Sequence, residues 1–315
     1  MKRILYLSAI ALCWELCAAE PIVAQTRKTG GPVATSGLFQ SMQSTGMPAL
    51  IIAGSTGCVY CVEMSEELSS NPKLQPLVQQ MFIAKVDVSS RDWPILRDTF
   101  KFEESGIPAV FFVRADGELL YSDAGKPFDM EGFLKEQLAK SGKLLDAKTL
   151  KLMSRDAKQV DLAVKRKDLE KAAELVQEYA GSGSYAAAAL AFDKAGAQLV
   201  ELAATRSKEV SGRLEDPKTQ FAAALDLVEL QATLAAYEPA RKVVADAIVV
   251  SQVDENVEKL YEDAEQLLSA RKAETAKQWK VAVEGYTMAA RSLLTEAGKE
   301  YAAERVRMLQ PRVKG

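Results

Sequence analysis

The sequence predicts two folded units in series: an α/β domain with a central mixed sheet flanked by helices, then an all-helical domain of helical hairpins. Three observations predict this order. A short apolar run at residues 47–53 leads into a Cys58-Val59-Tyr60-Cys61 motif that opens a helix-compatible stretch. Strand-like and helix-like segments then alternate as far as Lys140, the pattern of an α/β domain. Beyond about Leu144 strand signals and tight turns almost vanish, while Ala, Leu, Glu and Lys dominate. With 315 residues, 48% of them hydrophobic, there is enough apolar material for two cores.

At the start of the chain Lys2 and Arg3 precede an apolar stretch over residues 4–14, and small residues follow at Ala18, Ala19 and Ala24. This is the pattern of a signal peptide over residues 1–24, with cleavage expected after Ala19 or Ala24. The apolar run falls short of the roughly 20 residues a membrane span needs, and Glu15 interrupts it. Cys13 and Cys17 each follow a leucine, whereas lipoprotein signals resemble one another in having a small residue there. Cleavage at either site leaves Cys58 and Cys61 as the only thiols of the mature chain, in a periplasmic or extracellular compartment where disulfides persist. Residues 25–35 (QTRKTGGPVAT) read as a flexible leader.

Residues 36–142 are expected to form the first domain. The apolar run at residues 47–53 reads as a buried central strand that stops at Gly54-Ser55-Thr56-Gly57. Residues 59–68 then read as a helix, which places Cys58 at its N-terminus and Cys61 about one turn inside. Free amides and the positive end of the helix dipole would stabilise a thiolate at Cys58, with Cys61 in disulfide reach behind it. Residues 81–88 alternate and are rich in β-formers, which predicts a second strand. Residues 92–100 predict a helix with Pro94 in its first turn. Gly106-Ile107-Pro108 opens an apolar strand that runs to Val113, and Asp116-Gly117 predicts a tight turn into residues 118–121. Residues 128–140 complete the domain as an amphipathic helix.

Over this third of the chain the motifs together resemble the thioredoxin family. A lone C-x-x-C is weak, because zinc sites also use it, but here it follows a strand and opens a helix. Gly106-Ile107-Pro108 is similar to the cis-proline loop that faces the cysteines in that family, and Gly125 is similar to a glycine beside the same surface. The resemblance implies that Cys58 attacks or receives a substrate disulfide and that Cys61 resolves the mixed disulfide. It also implies that Gly106, Ile107 and Pro108 offer backbone to an extended substrate. Three positions depart from the family pattern. Gly57 stands where an aromatic commonly precedes the first cysteine, Ile52 replaces a buried acid, and Val59-Tyr60 matches neither strong reductants nor strong oxidants. Lys85 does match the lysine that accompanies that acid. Met64, three residues after Cys61, reads as helix packing.

Other chemistries are poorly supplied. The chain has no histidine, so neither a zinc site built on one cysteine pair nor a cysteine–histidine nucleophile is expected, and no cofactor is called for. A formal net charge of −3 gives no broad positive field, so nucleic acid is not an expected partner. A structural, non-exchanging disulfide stays open as the alternative to a redox-active one.

Residues 143–315 carry one pattern three times: an aromatic, Ala three residues on, a large residue after seven and Ala after ten. The copies are Tyr185, Ala188, Phe192, Ala195; Tyr237, Ala240, Val244, Ala247; and Trp279, Ala282, Tyr286, Ala289. Such offsets keep the four residues on one helix face. They resemble the second helix of a tetratricopeptide repeat, and Leu175 and Tyr179 resemble its first helix. The copies are spaced more widely than that family's repeat of about 34 residues, which leaves longer hairpins or an ordinary helical bundle. Breaks are expected at residues 181–184 and at Asp216-Pro217. The resemblance implies a protein or peptide partner for this half. The expected activity is that of an exported thiol–disulfide oxidoreductase acting on protein thiols or disulfides, with a redox partner that regenerates the pair. A non-catalytic thioredoxin-fold scaffold is the alternative.

Overall fold

A computed structural model describes residues 35–252 and 255–314, so the segments expected as a signal peptide (1–24) and, apart from Thr35, as a leader (25–35) lie outside the described residues. Strands β1 (Ala49–Gly54), β2 (Phe82–Asp87), β3 (Ala109–Val113) and β4 (Leu119–Ala124) form one mixed sheet in the order β2-β1-β3-β4. β1 and β2 are parallel, which requires a crossover, and helices α2 (Val59–Ser70) and α3 (Gln75–Val78) provide it. The other pairs are antiparallel.

Because side chains alternate along a strand, the sheet has two apolar faces. Leu50, Ile52, Val110 and Phe112 point to the face covered by α2, α3 and α5 (Met130–Lys140), against Met64, Leu68, Leu74 and Leu134. Ile51, Ala53, Val86 and Phe111 point to the other, against Leu38 and Met42 of α1 (Thr35–Thr45) and Leu96 of α4 (Asp92–Phe100). Phe111 and Phe112 are wholly buried, each contributing about 1.5–3 kcal/mol by leaving water. This is the thioredoxin fold.

Two helices carry no clear sequence signal. The α1 segment TSGLFQSMQST is rich in residues that favour turns, and it is held by the apolar pair Leu38 and Met42, four residues apart. α3 is a single short turn under α5. The last helix of this unit begins at Met130 rather than Phe128, because Asp129 takes the cap position and accepts the Gly132 N–H at 2.9 Å. Pro127 and Phe128 are thereby left in a loop.

The remaining helices are α6 (Ala147–Arg166), α7 (Leu169–Tyr179), α8 (Ala187–Ser211), α9 (Gln220–Thr233), α10 (Glu238–Ser251), α11 (Glu255–Thr275), α12 (Trp279–Ala289) and α13 (Glu296–Lys314). They share one continuous core from Met153 to Leu309. Both expected breaks fall between helices, after α7 and after α8. Tyr237 caps α10 and Trp279 opens α12, and Ala240, Val244, Ala282 and Tyr286 are wholly buried. Tyr179 packs on Phe192 with ring centroids 4.7 Å apart. The first copy differs from the other two: Tyr185 precedes α8, whose cap is Ala186, and packs against the sheet core instead.

That tyrosine joins the two halves. The Arg114 guanidinium, just past β3, lies 3.6 Å from the centre of its ring. Arg114 also forks onto Asp116, with Nε–Oδ1 3.0 Å and Nη2–Oδ2 2.7 Å. Burial pushes the Asp116 carboxyl upward, but the hydrogen bonds from Arg114 and from the Glu118 N–H hold it below its ordinary value of 3.8. Alongside, the Lys143 N–H donates to the Gly183 carbonyl at 2.7 Å. Since Val113 pairs with Ala49 and Ala109 with Ala53, this junction sits at the end of the sheet opposite Gly54 and the cysteines.

Candidate active site

β1 delivers the chain to the site. It ends at Gly54 and a short turn follows, with the Cys58 N–H donating to the Ser55 carbonyl at 3.1 Å. Cys58 is the N-cap of α2, and its Sγ accepts the Cys61 N–H at 3.2 Å. Its carbonyl takes the N–H groups of Cys61 and Val62, each at 3.1 Å. Cys58 and Cys61 form a disulfide with their Cα atoms 5.3 Å apart. When the bond is reduced, the same amide and the helix dipole favour a thiolate at Cys58. Cys58 is 7% exposed and Cys61 9%, while Val59 and Tyr60 between them stand well out in solvent.

The loop before β3 lies across from Gly54, because Ala109 pairs with Ala53. There the Ile107–Pro108 peptide bond is cis, and Gly106 has φ +132°, a backbone only glycine adopts freely. The Pro108 carbonyl accepts the Gly125 N–H at 2.7 Å, and Gly125 itself has φ +112°. Cys58, Cys61, the residue 106–108 loop and Gly125 therefore gather at one end of the sheet. Ile107 is partly exposed there, as Val59 and Tyr60 are. Beneath the pair, Ile52 is buried on the α2 face with Met64. Lys85, its register partner on β2, points to solvent.

Several residues of this region were not singled out by sequence. A Cβ on Gly54 would come 2.4 Å from Cys61 Sγ, so only glycine lets β1 pass behind the disulfide. The signal for it is a glycine ending an apolar strand immediately before a C-x-x-C turn. Lys126 pairs with Glu67 of α2 at 2.7 Å and ties the loop after β4 to the cysteine-bearing helix. Phe128 in that loop is fully exposed.

Fold and site define a thioredoxin-like domain carrying an oxidised C-x-x-C pair. Residues 35–115 match a family model described as thioredoxin-like. Among solved structures, the chain is similar to a DsbH oxidoreductase at 14% identity, over 39% of this chain and 95% of that one, with a TM-score of 0.30. It is also similar to a thioredoxin from Thermus thermophilus at 24% identity, over 33% and 82% of the two chains, TM-score 0.28. A disulphide isomerase from Xylella fastidiosa Temecula1 matches at 24% identity, over 33% and 77%, TM-score 0.26. No curated protein matches.

Proposed function

We propose that this protein is an exported thiol–disulfide oxidoreductase acting on protein thiols or disulfides through Cys58 and Cys61. The observation that carries the reading is a disulfide whose first sulfur caps a helix, at the sheet end that also holds the Ile107–Pro108 loop. As a reductant, the Cys58 thiolate attacks one sulfur of a substrate disulfide and releases the other as a thiolate. Cys61 then loses its proton and attacks Cys58 Sγ, expelling the substrate's second thiolate. Two electrons pass to the substrate and the Cys58–Cys61 disulfide remains; oxidation of a dithiol is the reverse. Gly106, Ile107 and Pro108 present backbone to the extended substrate, and a separate redox partner regenerates the pair.

Export is part of the proposal, supported by the Lys2-Arg3 pair, the apolar stretch after it and the small residues Ala18, Ala19 and Ala24. Sequencing the N-terminus of the protein from its native source is expected to begin at Glu20 or Gln25; a start at Met1 overturns it. The helices from Ala147 onward are read as tetratricopeptide-like hairpins that hold a protein partner, supported by the buried alanines of α10 and α12.

Insulin reduction and refolding of a scrambled disulfide protein test the activity. The chain is expected to accelerate at least one of them, and Cys58→Ser to abolish both. Failure of the intact chain in both, with Cys58 unreactive to alkylation after reduction, would sink the reading.

A further inference from the structure

The redox end of the sheet is assembled from two banks that lie apart in the chain. Cys58 and α2 form one, and the residue 106–108 loop before β3 forms the other. Among the described residues, no hydrogen bond or ion pair joins Cys58 or α2 directly to residues 103–108. Two links in series connect them instead. The Gly125 N–H donates to the Pro108 carbonyl at 2.7 Å, and the next residue, Lys126, places its Nζ 2.7 Å from Glu67 Oε2 on α2.

This ion pair differs from its neighbours. The other pairs of the sheet unit, among the described residues, join partners four residues apart or fewer, as in Lys135–Glu131 and Lys140–Glu136, so they bridge no separate elements. Lys126 and Glu67 have side chains only 27% and 30% exposed, which leaves their attraction less screened than that of a pair in open water. The local chain stiffens the link. Gly125 has φ +112°, a turn only glycine takes freely, and Pro127 disfavours helical backbone at Lys126.

The chemistry makes the placing of the two banks matter. When the Cys61 thiolate attacks Cys58 Sγ, the Cys58–Cys61 bond forms and the bond from Cys58 to the substrate breaks. The substrate then leaves as a thiolate with the electron pair. The three sulfurs react in line, so the substrate sulfur must stand opposite Cys61. A protein held by its main chain at residues 106–108 has its sulfur placed by that loop, whereas Cys58 is placed by α2. A small disulfide takes no hold on the loop and approaches Cys58 freely.

We propose that Lys126 and Glu67 are a positioning pair: they touch no substrate, and by bracing α2 against the cis-proline loop they align Cys58 with the sulfur of a loop-bound protein. The inference rests on the oxidoreductase reading, and adds the groups that set its preference for protein over small disulfides.

The test compares the full chain with Lys126→Met, Glu67→Gln, Lys126→Arg and the charge swap Lys126→Glu with Glu67→Lys. Single-turnover rates of the reduced chains are measured with insulin and with 2-hydroxyethyl disulfide, and amide exchange at Gly125 is followed in the oxidised chains. In Lys126→Met and Glu67→Gln the ratio of insulin rate to small-disulfide rate is expected to fall about fivefold, through the insulin rate alone, with Gly125 exchanging about tenfold faster. Lys126→Arg and the swap should keep the ratio within about twofold of the unaltered chain. A ratio within about twofold in both neutral variants would overturn the brace, as would a swap no better than they are. A fall shared equally by the two disulfides also overturns it, because general damage to the fold does not distinguish substrates. Insulin reduction by the unaltered chain with an unchanged ratio in the variants counts against the brace alone. An unaltered chain that leaves insulin intact, while Gly125 exchange responds as expected, counts against the oxidoreductase reading alone.

Discussion

Replacing Gly54 by alanine is expected to make the Cys58–Cys61 disulfide easier to reduce. The new methyl carbon would stand 2.4 Å from Cys61 Sγ and 3.3 Å from Cys61 Cβ, well inside van der Waals contact. In the oxidised protein Cys61 Sγ is bonded to Cys58 and cannot swing aside, so β1 or the start of α2 must shift. In the reduced protein the thiol is free to change rotamer and the clash is relieved. Overpacking of this kind costs about 1–3 kcal/mol, and here most of it falls on the oxidised form. For a two-electron couple that raises the reduction potential by about 20–60 mV. Equilibration against a series of glutathione buffers, read by the fraction of alkylatable Cys58, measures it. A potential equal to or below that of the unaltered chain would show that β1 does not press on the disulfide. Thermal unfolding should agree: the variant loses more stability oxidised than reduced.

The second large effect is expected at the junction of the two halves. Gly142 has φ +79°, where an alanine costs about 1 kcal/mol, and its Cβ would lie 2.6 Å from both the Gly183 carbonyl oxygen and the Tyr185 ring. Neither neighbour can give way cheaply. Gly183 is held by the Lys143 N–H and Tyr185 lies under the Arg114 guanidinium. Gly142→Ala is expected to lose about 2–4 kcal/mol of stability and to separate unfolding of the sheet from unfolding of the helices. Denaturant titration, followed at once by far-UV dichroism and tryptophan fluorescence, checks this, because Trp93 belongs to the sheet unit and Trp279 to the helical one. A variant that unfolds at the same midpoint as the unaltered chain would mean that the junction does not couple them. The redox pair sits at the other end of the sheet, so its chemistry should survive the substitution.

Much of the fold could be read locally. The strand and helix segments of the first unit carry their own periodicity, and Cys58 reports its place at a helix start through the apolar run before it and the helix formers after it. The cis peptide at Ile107–Pro108 was implied only by likeness to a family, since the local sequence is compatible with either isomer. What was illegible depends on contacts far along the chain. Tyr185 heads the same residue pattern as Tyr237 and Trp279, yet it plugs the junction while the others open helices of the bundle.

By itself, then, the sequence determined that an α/β unit precedes a helical one and that a cysteine pair starts a helix, because hydrophobic period, turn residues and helix propensity act over a few residues at a time. Only the tertiary structure decided which surfaces meet. It set Gly54 behind Cys61 Sγ, seated Tyr185 under Arg114 at the far end of the sheet, and paired Lys126 with Glu67 of α2. Those arrangements follow from the packing of elements distant in sequence, where small differences in backbone approach decide whether a side chain is filler, hinge or brace.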